Sequence, residues 1–223
     1  MTTAWFDWAY AWRIAPALLR AGATTLWITA LAYALALAAG LLLALLRRAA
    51  PPWLAWSVAA FVELVRSTPL LIQLLLLYYV LPDYGPTLSA AGAGVLGLGL
   101  HYACYLSEVY RAGIDGVARG QWQAAQALSL PRAQIWLRVV LPQALPPLVP
   151  ALGNYLIAML KDTPVLSAIT VVELMLRAKN LGAHSFRYIE PITLAGLFFL
   201  LVSSALAWLL RRLEARLRRH QGH

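Results

Sequence analysis

AGATTLWITALAYALALAAGLLLALL, residues 21 to 46, contains no charged side chain. A hydrocarbon core about 30 Å thick is crossed by ~20 helical residues at 1.5 Å each, so this run spans it as one helix. Four more apolar stretches follow, at about Trp53 to Leu81, Leu88 to Tyr110, Gln143 to Leu160 and Pro191 to Leu210. They are aliphatic and alanine-rich with almost no period-two alternation, which argues against a membrane barrel. The expected fold class is therefore all-α integral membrane, one domain over residues 1–223 with five transmembrane helices.

Composition agrees. Hydrophobic residues make up 61% of the chain and charged residues 12%, about half the charged share of an ordinary soluble domain. The excess of 18 Lys and Arg over 9 Asp and Glu is scattered between apolar runs, so it reads as a topology signal, not as a nucleic-acid patch. Cys104 stands alone inside an apolar stretch and reads as core filler. The start, Met1 to Arg20, is aromatic and mixed and lacks a short apolar region with a small-residue cleavage site, so the first helix is expected to stay.

Five spans put the termini on opposite sides, and Lys/Arg counts orient them. Arg47, Arg48, Arg111, Arg119, Arg132, Arg138 and the arginines from Arg211 to Arg219 fall on one side. Arg13, Arg20, Lys161, Arg177, Lys179 and Arg187 fall on the other, and Arg66 lies inside the second span. The richer side is inward, giving an outward N-terminus and a cytoplasmic C-terminus. The turn Pro82 to Thr87, without a basic residue, then faces outward. Between Lys161 and Glu190 an apolar piece, Val165 to Leu176, is too short to span and is expected to be re-entrant or interfacial. Gly92, Gly94, Gly97 and Gly99 predict a centrally packed third span.

The inner connection, 111–142, is the informative loop. GQWQAAQALSLPRAQIWLRVVLP, from Gly120 to Pro142, has apolar residues at helical spacing in two blocks. Trp122, Ala125 and Leu128 form one stripe, and Ile135, Trp136, Val139 and Val140 another; Ser129 and Pro131 supply a stop and a restart. Two short amphipathic helices held below the membrane at Pro142 suit a docking element for another protein or a loop lying on the lipid surface.

This stretch resembles the coupling loop of ABC importer permeases: EAA, three residues, Gly, nine residues, Ile, any residue, Leu-Pro. Gln123, Ala124 and Ala125 stand in the EAA places, Ser129 in the Gly place, Val139 in the Ile place, and Leu141 and Pro142 close it. Gln123 lacks the charge of the family's Glu, and Ser129 reaches a left-handed turn less readily than Gly. FVELVRSTPLLIQL (61–74), YLSEVYRAGIDGV (105–117) and LPQALPPLVPALGNYLIAMLKDT (141–163) are similar to phrases of the polar amino acid branch, the histidine and glutamine permease type. TPVLSAITVVEL (163–174) with FRYIEP (186–191) looks most like a permease subunit of the ectoine and hydroxyectoine importer. The resemblance implies the type I ABC importer permease fold and the permease subunit of an ATP-driven importer for a polar amino acid or amino-acid-like solute. It also implies a second permease subunit, same or homologous, cytoplasmic ATPase subunits and an extracytoplasmic solute-binding protein, in a bacterial cell membrane. Gly120 and the motif residues are its implied ATPase-coupling positions.

No GxxxxGK[ST] loop occurs, so ATP and its Mg are expected on the partner ATPase, with no cofactor and no catalytic residue here. His101 is alone in a span and His184, His220 and His223 are far apart, so no metal is assigned. His101 reads as a hydrogen-bonded interior histidine or as part of a polar path.

Charged residues at membrane depth cost ~3 kcal/mol on insertion scales, so they mark a cavity or a partner. Glu63 and Arg66 share a helix face and can pair, while Ser67, Thr68 and Pro69 break the helix beside Gln73. This segment with Asn154 is a candidate solute path or gate; a purely structural pair is the alternative. Lys161, Asp162 and Thr163 end the fourth span: Lys161 or Arg66 suits a solute carboxylate, Asp162 or Glu63 its cationic group, and helix capping with mutual pairing is again the alternative. Glu108 and Arg111 are expected to anchor the loop, and the tail Arg211 to Arg219 to meet anionic headgroups.

Two other classes compete. A secondary transporter would use buried charges as an ion pathway, but leaves the two-helix loop unexplained and would work without an ATPase. A membrane enzyme needs clustered acids, histidines or a nucleophile near the headgroups, where only isolated acids occur.

Overall fold

The computed structural model describes residues 5–219, with side chains to residue 216. Helix α1 (Trp8–Ala49) is 42 residues long and begins well before the uncharged run. Asp7 caps it by accepting a 3.0 Å hydrogen bond from the Tyr10 N–H, and Pro51 and Pro52 follow its last turn, which carries Arg47 and Arg48. One face is buried at steps of three and four: Tyr10, Ile14, Leu18, Gly22, Thr25, Ile28, Ala32, Ala36, Gly40 and Ala44. The residues shrink along this face, which lets a second helix lie close. That helix is α4 (Ala90–Asp115), capped by Ser89, whose Oγ accepts from the Gly92 N–H at 3.1 Å. A Cβ on Gly40 would stand 2.9 Å from the Ala103 carbonyl oxygen of α4. The third span is thus central, as its glycines predict.

Helix α2 (Pro52–Arg66) and helix α3 (Leu70–Leu75, prolonged by a π-helical turn Leu76–Val80 and a 3-10 turn Leu81–Asp83) do not form one straight span. They meet at 103°. Pro69 lacks an N–H and bars Thr68 from helical backbone, which forces the break. After α4 come α5 (Arg119–Ala127) and α6 (Arg132–Gln134), the latter running through a π-helical turn (Ile135–Val140) straight into α7 (Leu141–Asp162). The expected short second loop helix is therefore the start of a long one. Pro142 falls in the first turn of α7, where a missing N–H is tolerated, and the wide turn before it bonds the Leu141 N–H to the Trp136 carbonyl. A 3-10 segment (Thr163–Ile169), α8 (Leu174–Ser185) and α9 (Ile189–Arg219) complete the chain.

The piece Val165 to Leu176 is not one interfacial helix. Thr170 takes φ 64 and breaks it, and Glu173, itself fully buried, starts α8 by accepting from the N–H groups of Met175 and Leu176. Leu166, Ile169 and Val171 join Ile28, Leu74 and Met159 in the main core, so this connection is packed within protein. Trp8–Ala49, Arg132–Ile169 and Ile189–Arg216 are long and apolar enough to cross a membrane, and the bent pair adds a fourth if it is one span. Helix α4, at 26 residues, is about 39 Å long but outside that set, because its glycines, His101 and tyrosines dilute it.

A clasp ties the first turn of α1 to α9. The Asp7 N–H donates to Glu190 Oε1 at 2.9 Å, Arg187 pairs with Glu190 and reaches Asp7 Oδ2 at 3.4 Å, and the Tyr10 hydroxyl donates to Ser185 Oγ at 2.8 Å. The Tyr10 N–H first, then the Arg187 guanidinium, hold the Asp7 carboxyl below its ordinary value of 3.8. A lowered carboxyl stabilises the fold above its unfolded pKa and loses that contribution as pH falls through the folded value. The thermal midpoint is expected to drop as pH falls below 3.8, with a shallower drop in Asp7→Asn; equal slopes would remove Asp7 from the clasp.

Candidate functional site

Two features stand out: an elbow at α5–α6 and a polar seam where the α2–α3 bend meets α4 and α7. In the elbow, Trp122 and Ala125 pack against Ile135, Trp136, Val139 and Val140 over Ile114 and Leu148. Leu128 leaves the expected stripe and is 75% exposed, as Leu137 is at 65%. Gln123, Ala124, Leu128 and Ser129 line an outward face, and Gly120 has open space around it. Ser129 adopts φ 55, the left-handed turn a glycine takes readily. Its N–H bonds the Gln126 carbonyl while the Leu130 N–H reaches back to Ala125, closing α5 before Pro131 opens α6. Leu141 is half-buried and Pro142 exposed at the α7 start. Since left-handed backbone costs a residue with a Cβ about 1 kcal/mol, Ser129→Gly is expected to raise the thermal midpoint and Ser129→Val to lower it; the reverse order would show that the turn is not the constraint.

The elbow is fastened to the ends of α1 and α4. Arg48 donates to Asp115 at 2.6 Å and lies 5.4 Å and 5.7 Å from the ring centroids of Trp122 and Trp136, which meet edge to face. Arg47 pairs with Glu108, which also pairs with Arg111 at 3.3 Å, the anchoring expected of the last two.

In the seam, the break at Ser67 to Pro69 leaves carbonyls without helical partners, and Gln73 takes them. Its Nε2 donates to the Val65 carbonyl at 2.7 Å, the Thr68 hydroxyl at 2.7 Å and the Thr68 carbonyl at 3.2 Å. Its Oε1 is then an acceptor, so His101 Nδ1, 3.0 Å away, carries the proton. Arg66 pairs loosely with Glu63 at 3.5 Å, and Ser67 Oγ also donates to Glu63. The Arg66 guanidinium lies 5.4 Å from the Tyr105 ring centroid, and its Nε is buried without a partner. The Tyr105 hydroxyl donates to the Arg66 carbonyl. His101, Tyr102, Tyr105 and Tyr155 form a ring cluster with centroids 5.2 to 6.3 Å apart. Tyr102 ends it by donating to Asp162 Oδ2 at 2.6 Å.

Glu63, Arg66, Ser67, Thr68 and Gln73 are thus together, and Asp162 joins them through tyrosines. Lys161 and Asp162 do not pair: Lys161 faces α9, lining a cleft with Ser203 and Ser204. Thr163 is buried with its hydroxyl on the Leu160 carbonyl, and Asn154 is exposed on α7. His220 and His223 lie outside the described residues. Sequence reading missed the tyrosines and Arg48. His101 and Tyr105 stand four apart and Tyr102 and Tyr105 three apart, a spacing that marks one helix face. An arginine at one end, a carboxylate at the other and π faces between can hold a small zwitterion: guanidinium on carboxylate, Asp162 and rings on the cationic group.

Helices long and apolar enough to cross a membrane, with an elbow exposing an outward face beside them, define an integral membrane protein with a surface open to a partner. The pattern described as "Binding-protein-dependent transport system inner membrane component" matches residues 36–219, and the chain belongs to this family. It is 43% identical over 209 residues, 94% of this chain and 90% of the relative, to a probable amino-acid ABC transporter permease protein, y4tG, of Sinorhizobium fredii. It is 34% identical to the glutamine transport system permease protein GlnP of Escherichia coli, covering 96% and 98% of the two chains. Among solved structures it matches an amino acid ABC transporter with histidines at TM-score 0.89 and 32% identity, covering 95% of this chain and 99% of that one. The MetNI methionine ABC transporter, at TM-score 0.76 and 22% identity, over 90% and 96% of the two chains, shares the fold. The chain is a multi-pass inner-membrane permease subunit of an ATP-driven importer, with hydrolysis on a separate subunit.

Proposed function

We propose that this permease carries a polar amino acid or an amino-acid-like zwitterion through the seam, with Arg66 meeting the carboxylate and Asp162 the cationic group. The observation that carries this is the seam itself: a guanidinium with a buried unpartnered Nε, and a carboxylate, joined by Tyr105, Tyr155 and Tyr102. The amino-acid permeases among the relatives support the solute class. The narrower solute is ectoine or hydroxyectoine, on the resemblance of 163–174 and 186–191. The chain crosses the membrane five times, N-terminus outside and C-terminus cytoplasmic. Gln123, Ala124 and Leu128 meet the ATPase, whose bound ATP and Mg drive the elbow. A second permease subunit and an extracytoplasmic binding protein complete the complex.

The test is ATP-dependent uptake of labelled ectoine, glutamine, histidine, arginine and glutamate by proteoliposomes holding the whole complex. Uptake of ectoine alone supports the narrower reading; uptake of an ordinary amino acid leaves the class and removes ectoine; uptake of none removes both. Asp162→Asn is expected to cut uptake by about a hundredfold, since hydrogen bonds to a charged group are worth ~1.5–3 kcal/mol, with assembly intact. Lys161→Ala should lose little; the opposite pattern would move the solute to the α7–α9 cleft.

A further inference from the structure

A polar cleft of about 310 Å³ lies between α1 and α8, lined by Ala17, Arg20, Ala21, Thr24, Val172 and Arg177. Two arginines line it. Arg20 uses its Nε on the Pro16 carbonyl at 3.3 Å, and neither arginine has an ion pair among the described residues. Glu173, one helical turn before Arg177, is committed to the backbone that starts α8. Two like charges sharing one cleft without an acid make a receptor for an anion.

Depth identifies the anion. Arg20 is the last charged residue before the uncharged run Ala21 to Leu46, so it sits where the hydrocarbon begins. Leu19 and Val172, both more than half exposed, flank it with apolar surface. We propose that Arg20 and Arg177 hold the phosphate of an anionic phospholipid headgroup in the leaflet at the N-terminal end of α1, with acyl chains against the apolar run. The site depends on family membership and on no choice of solute.

The experiment uses the purified importer complex, stripped of lipid and titrated with phosphatidylglycerol or phosphatidylcholine, with bound lipid counted by native mass spectrometry. Phosphatidylglycerol is expected to be retained in preference. Arg20→Gln and Arg177→Gln should each weaken it about fivefold and the pair about thirtyfold, the effect of a basic residue at an anionic membrane surface. Arg20→Lys, which keeps a point charge without the fork, should retain the fold and part of the preference. Equal retention of the two lipids by the wild type, or an undiminished preference in the double variant, overturns the proposal. So does displacement of the lipid by inorganic phosphate at equal concentration, which marks a free-anion site. Weakened capture of the solute-binding protein by the double variant, with lipid retention unchanged, assigns the arginines to that protein instead and also overturns it.

Discussion

Gly40→Leu is expected to leave little folded permease. A Cβ at this position meets the Ala103 carbonyl oxygen at 2.9 Å, the Leu106 Cβ at 3.0 Å and the Ser107 nitrogen at 3.3 Å. Two of these atoms are helix backbone and cannot rotate away, so α1 and α4 must separate along the face Ile28, Ala32, Ala36, Gly40 and Ala44. Overpacking of this kind costs about 3 kcal/mol, and the loss extends to the contacts that a longer gap forfeits. The measurement is the thermal midpoint of the detergent-solubilised complex, with Gly120→Leu as control, because nothing lies within 4 Å of a Cβ at Gly120. A midpoint for Gly40→Leu equal to that of the control would mean that the two helices are not held by this face.

Arg48→Ala is expected to separate hydrolysis from transport. Its pair with Asp115 is half-exposed, with side chains 39% and 53% accessible, and is worth at most about 1 kcal/mol. Stacking against Trp122 and Trp136 adds ~0.5–1 kcal/mol for each ring. The sum, roughly 2 kcal/mol, is lost where the elbow joins α1 and α4, and under the proposed coupling role the elbow's motion would be transmitted less faithfully to the spans. Uptake should fall about tenfold or more while ATP hydrolysis by the complex persists, and Arg48→Lys, which keeps the charge and loses the planar stack, should fall between. A parallel loss of both activities would show that Arg48 only holds the fold together.

The sequence carried the helical class, the central place of the glycine-rich span and the elbow, because these depend on local signals: an uncharged run, small residues, a turn at Ser129 and Pro131. The break at Pro69 was legible, but its 103° angle was not. That angle depends on Gln73 gathering the freed carbonyls, a contact across the break. Leu128 fitted the helical stripe yet ended exposed, since α5 is short and its last turn leaves the elbow's core. Val165 to Leu176 reads by length as re-entrant or interfacial, and only tertiary packing put Leu166 and Ile169 inside. Lys161 and Asp162 looked like a pair because they are adjacent, although neighbours on a helix point about 100° apart; one reached Tyr102 and the other faced α9. The tyrosines of the seam gave only a spacing, and their partners lie far off in the chain.

The most direct test is uptake of labelled solute by proteoliposomes holding the permease with its partner permease and binding protein, with and without the ATPase subunit and ATP. Uptake is predicted only when both are present, and it should be lost when Gln123, Ala124 and Leu128 are replaced by bulky acids that block the elbow's outward face. Uptake that proceeds without the ATPase, driven by an ion gradient alone, would contradict the assignment of this chain to an ATP-driven importer.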